Sequence, residues 1–200
     1  MSLDKNIQDW VRNTAVFYYQ IFSKEYNDDF LAELLKGGGG NSVLCGSWYK
    51  LGSKFVKSRI SGKALKELQK IKFPLSIENN IVRIKLRDID NNNSLFRNNA
   101  KTIEKRRAAG KFFHFDHNPS NMRLINLLNN KVKELLASGL SEDDQIDLLS
   151  EFIYNIQTID LITIEQDDVI TKADKKLKTA FSKDVRDKML NDKWYWINWE

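Results

Sequence analysis

The sequence predicts an α+β protein that is mostly helical, and three observations carry that expectation. Apolar residues recur at helical spacing over much of the chain. Two stretches, Ile77–Leu86 and Phe112–Asp116, alternate instead, and the breaks between periodic segments fall on Gly, Pro and Asn. A chain of 200 residues with 42% hydrophobic content is expected to build one domain over 1–200. Four parts are expected within it: a helical N-terminal part (1–40), a basic part (41–110), a strand–turn–strand–helix module (111–138) and a helical C-terminal part (139–200).

Composition excludes several classes. An aromatic content of 11% with five Trp argues against disorder. No run of about 18 apolar residues occurs, so no helical membrane span is expected. Met1–Lys5 lacks the apolar stretch of a signal peptide. A single cysteine, Cys45, rules out an intramolecular disulfide and any zinc site built on several cysteines. A cytoplasmic location is the expectation. Net charge is +5, with basic residues dominant from Lys50 to Arg123 and acids concentrated from Glu142 to Asp168. That asymmetry points to a polyanionic partner for the middle of the chain.

Taken in order, Asn6–Lys36 predicts two helices broken near Asn27-Asp28, with Trp10, Phe17 and Phe22 as core or dimer interface. Gly37–Gly40 ends them. It is not a phosphate loop, because Asn41-Ser42 follows where Gly-Lys-Ser/Thr would be needed. Between Cys45 and Arg59 basic and aromatic side chains interleave, a mixture suited equally to a half-exposed strand and to nucleic acid. On the second reading Lys50, Lys54, Lys57 and Arg59 meet phosphate. Ser61–Lys72 predicts a helix capped by Ser61, with Leu65, Leu68 and Ile71 inward, and Pro74 stops it.

Ile77–Leu86 follows as strand, with Asn79-Asn80 as a tight turn and Ile77, Ile81, Ile84 and Leu86 on the apolar side. Arg83, Lys85 and Arg87 share the other side, where they protect an edge or contact DNA. Asn98–Gly110 predicts a basic helix with Lys105, Arg106 and Arg107, ended by Gly110. Past the module, Ser141-Glu142-Asp143-Asp144 has the form of a helix start. Ile159–Glu165 reads as a strand or a helix extension. Lys172–Leu190 is amphipathic, with Leu177, Phe181, Val185 and Leu190 inward, and Trp194–Trp199 is too aromatic to stay undocked.

The chemistry-bearing stretch is Lys111–Leu127. It holds both histidines, His114 and His117, with Asp116 directly before the second. Phe112–Asp116 predicts a strand and Asn118-Pro119-Ser120-Asn121 a turn. Arg123–Ile125 suits a second strand. Asn126 then caps a helix over Leu127–Ser138 with Leu127, Leu128, Val132, Leu135 and Leu136 on one face.

This order and these residues resemble the HNH (ββα-metal) nuclease site. Asp116-His117 matches the start of the small phage and intron-type pattern, and Asn121-Met122-Arg123-Leu124-Ile125-Asn126-Leu127 matches its end. The turn is shorter than in the usual pattern, so both Asn126 and Asn130, one helical turn later, stand as candidates for the second ligand. The resemblance implies His117 as general base and Asp116 with Asn126 or Asn130 holding one Mg²⁺ or Mn²⁺ ion. It implies hydrolysis of double-stranded DNA to 3′ hydroxyl and 5′ phosphate ends. His114 and Arg123 would join the basic residues in contacting DNA. Intracellular character and the large surroundings of the motif look like those of a type II restriction endonuclease, dimeric to cut both strands; a homing or phage nuclease is the near alternative.

Two other readings compete. A PD-(D/E)xK nuclease needs Glu-x-Lys after its Asp, and Asp160 with Glu165-Gln166-Asp167 lacks the Lys. A DNA-binding protein without catalysis would use the basic region 50–123 alone.

Overall fold

The computed structural model describes residues 5–24, 57–96, 103–118, 121–156, 158–177 and 182–200. It is α+β. In chain order the elements begin with α1 (Lys5–Phe22), β1 (Ser58–Ser61), α2 (Gly62–Lys70), β2 (Ser76–Glu78) and β3 (Ile81–Ile84). Next come α3 (Leu86–Asn91), α4 (Asn93–Phe96), α5 (Ile103–Ala108), β4 (Phe113–Asn118), α6 (Asn121–Leu136) and α7 (Glu142–Ile156). The chain closes with β5 (Thr158–Thr163), α8 (Ile164–Leu177), α9 (Lys183–Leu190) and β6 (Trp194–Trp199). The backbone divides into two compact units: 1–56 with 119–157, and 57–118 with 158–200.

The first unit packs α1, α6 and α7 together. Val11, Ala15, Tyr18 and Phe22 of α1 meet Leu124, Leu128 and Val132 of α6 and Ile146, Leu149 and Ile153 of α7. These positions recur three or four apart, so each helix buries one stripe. Ser141 starts α7 as expected, its Oγ accepting from Asp144 N at 3.2 Å. The predicted second strand, Arg123–Ile125, is instead the first turn of α6. The reason is periodicity. Leu124 and Ile125 continue into Leu128, Val132 and Leu135, all buried, and that spacing exists only on a helix. Leu136, expected inward, is 43% exposed.

The second unit is built on a six-stranded mixed sheet of order β2-β3-β6-β1-β5-β4. β1 runs parallel to β5 and antiparallel to β6, while β4 closes the far edge antiparallel to β5. The predicted β2–β3 hairpin forms, with Asn79 and Asn80 at φ 51° and 63°, as a two-residue type I′ turn requires. Its faces differ from expectation: Val82 and Ile84 are buried and Ile81 is 41% exposed, because inward positions must be two apart. Ser61 caps α2, accepting from Ala64 N at 3.1 Å, and Ala64, Leu65 and Leu68 are buried while Ile71 turns outward. On α9 it is Arg186 and Leu190 that are buried, and Val185, expected inward, is exposed. The terminal aromatic segment docks as β6 in the interior of the sheet, between β3 and β1.

Strand alternation gives this sheet two unlike faces. One carries Ile60, Val82, Ile84, Phe113, Phe115, Leu161 and Ile197, all buried. Phe96 of α4 stacks on Phe113 and Phe115 at 5.4 and 5.7 Å. The other face carries Arg59, Asp160, His114, Asp116 and Asn118. There the charged groups collect.

Candidate functional site

The backbone signals that aim β4 are local. Gly110, at φ 69°, ends α5, with Lys111 N donating to Arg106 O and Gly110 N to Arg107 O, both at 2.9 Å. β4 then pairs in unbroken register with β5: His114 opposite Ile162, Asp116 opposite Asp160, Asn118 opposite Thr158. His114, Asp116 and Asn118 therefore share one face, and His117 belongs to the other, with Phe113 and Phe115.

Over His114 lies the first turn of α8. Thr163 and Gln166 form a reciprocal cap: Thr163 N donates to Gln166 Oε1 at 3.1 Å and Gln166 N to Thr163 Oγ1 at 3.3 Å. Gln166 is fixed further by Ser61 Oγ, which donates to Oε1 at 2.7 Å, and by its own Nε2, which donates to Asp192 at 2.9 Å. The next residue, Asp167, is thereby held with Oδ1 3.8 Å from His114 Nε2. His114, Asp116 and Asp167 each present one ligand atom, all within 4.8 Å of one another. Burial lowers the His114 pKa, with Asp167 opposing and Arg106 and Arg186 reinforcing, so the imidazole is neutral near pH 7. Each carboxylate is met by an arginine: Arg186 Nη2 donates to Asp116 and Arg106 Nη1 to Asp167.

Beside this triad is a second group. Arg59 grips Asp160 through Nε (2.9 Å) and Nη2 (2.7 Å) and Asp187 through Nη1 and Nη2 (both 2.9 Å). Its guanidinium stacks 4.2 Å from the Trp194 ring centroid. Thr158 Oγ1 and Asn118 Nδ2 complete Asp160 at 2.9 and 2.8 Å. Burial opposes the charge on Arg59, but the hydrogen bonds to Asp160 and Asp187 outweigh it and hold the pKa above its ordinary value. Asp116, Asn118, Asp160, Arg186, Asp187 and Trp194 line one narrow crevice.

The residues expected to act are distributed as follows. Asp116 enters the triad. His117 is half-buried on the opposite face, and burial, then His114, lowers its pKa to about 4. Asn126 and Asn130 are exposed on α6, in the other unit. His114, expected at DNA, sits in the triad. Arg59, also expected at DNA, is 6% exposed and committed to two carboxylates, which leaves it no phosphate to meet. Arg106 turns to Asp167, Arg107 to Glu165 at 2.8 Å, and Arg83 to Glu78 at 3.1 Å. Lys85, Arg87 and Lys105 are exposed, while Lys57 and Arg123 are half-buried. Lys50 and Lys54 lie outside the described residues. Asp167 and Arg186 were missed. Thr163-x-x-Gln166 was the available signal for Asp167, since a reciprocal cap announces where a helix begins; Arg186 gave none.

No protein-family model, curated protein or solved structure matches this chain. Among the described residues no helix is long and apolar enough to cross a membrane.

Proposed function

We propose that this protein is a divalent-cation-dependent endonuclease acting on double-stranded DNA, with His114, Asp116 and Asp167 as its cation site. The observation that supports this most is that Asp116 belongs both to the HNH-like stretch and to the cluster of mutually close ligand atoms. The donor set fits the ion. Two carboxylate oxygens and one neutral imidazole nitrogen suit Mn²⁺ and accept Mg²⁺, and three protein ligands leave positions for water and phosphate. When bound, such a cation polarises a phosphoryl oxygen and lowers the pKa of water.

The protein's own groups do the rest. His114 stays neutral and so can offer a lone pair. Asp116 and Asp167 bring negative charge, and Arg106 and Arg186 bring compensating cations to a place where a phosphodiester would arrive. His117 receives no proton-transfer role in this proposal, because a base with a pKa of about 4 holds a proton poorly at neutral pH and it faces away from Asp116. Dimerisation would supply the second cut. Recognition of a defined sequence, as in restriction enzymes, belongs to the same proposal.

The competing reading is a DNA-binding protein without catalysis. It is favoured by the arginine on each triad carboxylate, since a paired carboxylate needs no cation. Nicking of supercoiled plasmid with Mg²⁺, Mn²⁺ or EDTA, alongside a gel-shift assay, separates the two. Cation-dependent nicking, lost in Asp116→Asn and Asp167→Asn while DNA binding persists, is the expected result. Binding with no nicking under any cation selects the module.

A further inference from the structure

Among the described residues, two arginines lie buried against the polar face of the sheet, and they are not equally satisfied. Arg59 meets two carboxylates through Nε and both Nη atoms. Arg186, at 2% exposure, donates Nη2 to Asp116 and Nη1 to the His117 carbonyl, and its Nε–H has no hydrogen-bond partner among the described residues. The Oδ1 of Asn118, lining the same crevice, also lacks one. A buried donor without an acceptor is costly and asks for a reason.

The carboxylate that Arg186 holds, Asp116, is also one of the three candidate ligands. Nη2 donates to Oδ2 of that carboxylate, so a cation arriving at Asp116 meets a guanidinium already bound to it. Resting on the cation site proposed above, we infer that Arg186 is an exchangeable latch: it holds Asp116 while no cation is bound, and yields it to a divalent cation. The freed guanidinium then takes non-bridging oxygens of the incoming phosphodiester. A planar fork with several donors suits two phosphate oxygens, which an ammonium does not match.

Calorimetric titration of Mn²⁺ without DNA tests this in wild type, Arg186→Met, Arg186→Lys and Asp116→Asn. Removing the competitor should tighten Mn²⁺ binding in Arg186→Met by about tenfold, while single-turnover plasmid nicking falls by about 100-fold. Arg186→Lys, which keeps the charge but loses the fork, should show a smaller tightening; if Arg186→Met does not fold, unchanged affinity in Arg186→Lys overturns the latch. Mn²⁺ binding no tighter in Arg186→Met, with binding still abolished in Asp116→Asn, removes the latch and leaves the cation site standing. Absence of Mn²⁺ binding in every folded variant and in wild type removes both.

Discussion

Asp116 and Asp160 face each other across the β4–β5 ladder, and each is held by a different arginine, Arg186 and Arg59. Like charges directly opposite on a sheet repel, so the pair persists only because counter-cations reach both. They are not equivalent. Asp160 is 3% exposed and accepts from Arg59 twice, from Thr158 and from Asn118, leaving little capacity for a ligand. Asp116 keeps a side-chain exposure of 19%. One carboxylate is a strut; the other is available for exchange.

That difference predicts opposite responses to substitution. Asp160→Asn should lower unfolding free energy by about 3–5 kcal/mol, because Arg59 is left buried with part of its charge uncompensated. Replacing Arg59 and Asp160 together with apolar residues should restore much of the loss. Urea denaturation of the single and double variants measures both, and a double variant as unstable as the singles would contradict the strut.

Asp167 separates the triad from the motif taken alone. Asp167→Asn should weaken Mn²⁺ binding and plasmid nicking by about 100-fold, whereas Asn126→Ala and Asn130→Ala should change neither by more than a few-fold. The reverse ranking would return the site to Asp116 with an asparagine of α6.

Gln166 tests how Asp167 is positioned. Gln166→Ala removes the bond from Thr163 N and the bonds to Ser61 and Asp192, while the backbone bond from Gln166 N to Thr163 Oγ1 remains. The variant should lose about 1–2 kcal/mol of stability. Mn²⁺ binding should weaken while it remains folded at 25 °C, because the first turn of α8 is no longer pinned. Stability lost without any change in binding would mean that α8 holds its place by packing alone.

His117 carries a pH dependence of defined sign. Its pKa falls from an ordinary 6.5 to about 4 in the folded chain, so the unfolded chain binds its proton first. Stability from this group is full above pH 6.5 and is lost progressively as pH drops toward 4. The urea midpoint of the wild type should decline through that window, and the decline should be shallower in His117→Asn. Parallel profiles would show that other groups govern it.

The local elements were legible in short stretches of chain: the Asn79-Asn80 hairpin, the caps at Ser61 and Ser141, the Gly110 stop and the strand at Phe113. Each depends on a few adjacent residues whose φ preference or side-chain oxygen acts within one turn of chain. Three residues are too few to reveal a period, so Arg123–Ile125 was legible only once the stripe out to Leu135 was followed. Asp116 could be singled out as a candidate, but not the groups that surround it. It took the folded chain to reveal that β5 lies beside β4, that Arg59 turns inward, and that Asp167 and Arg186 reach His114 and Asp116. Those pairings join residues 42 to 128 positions apart. At such separations the pairing is set by which strand edges meet and which charges must be neutralised once buried, and neither condition is written in any short stretch of chain.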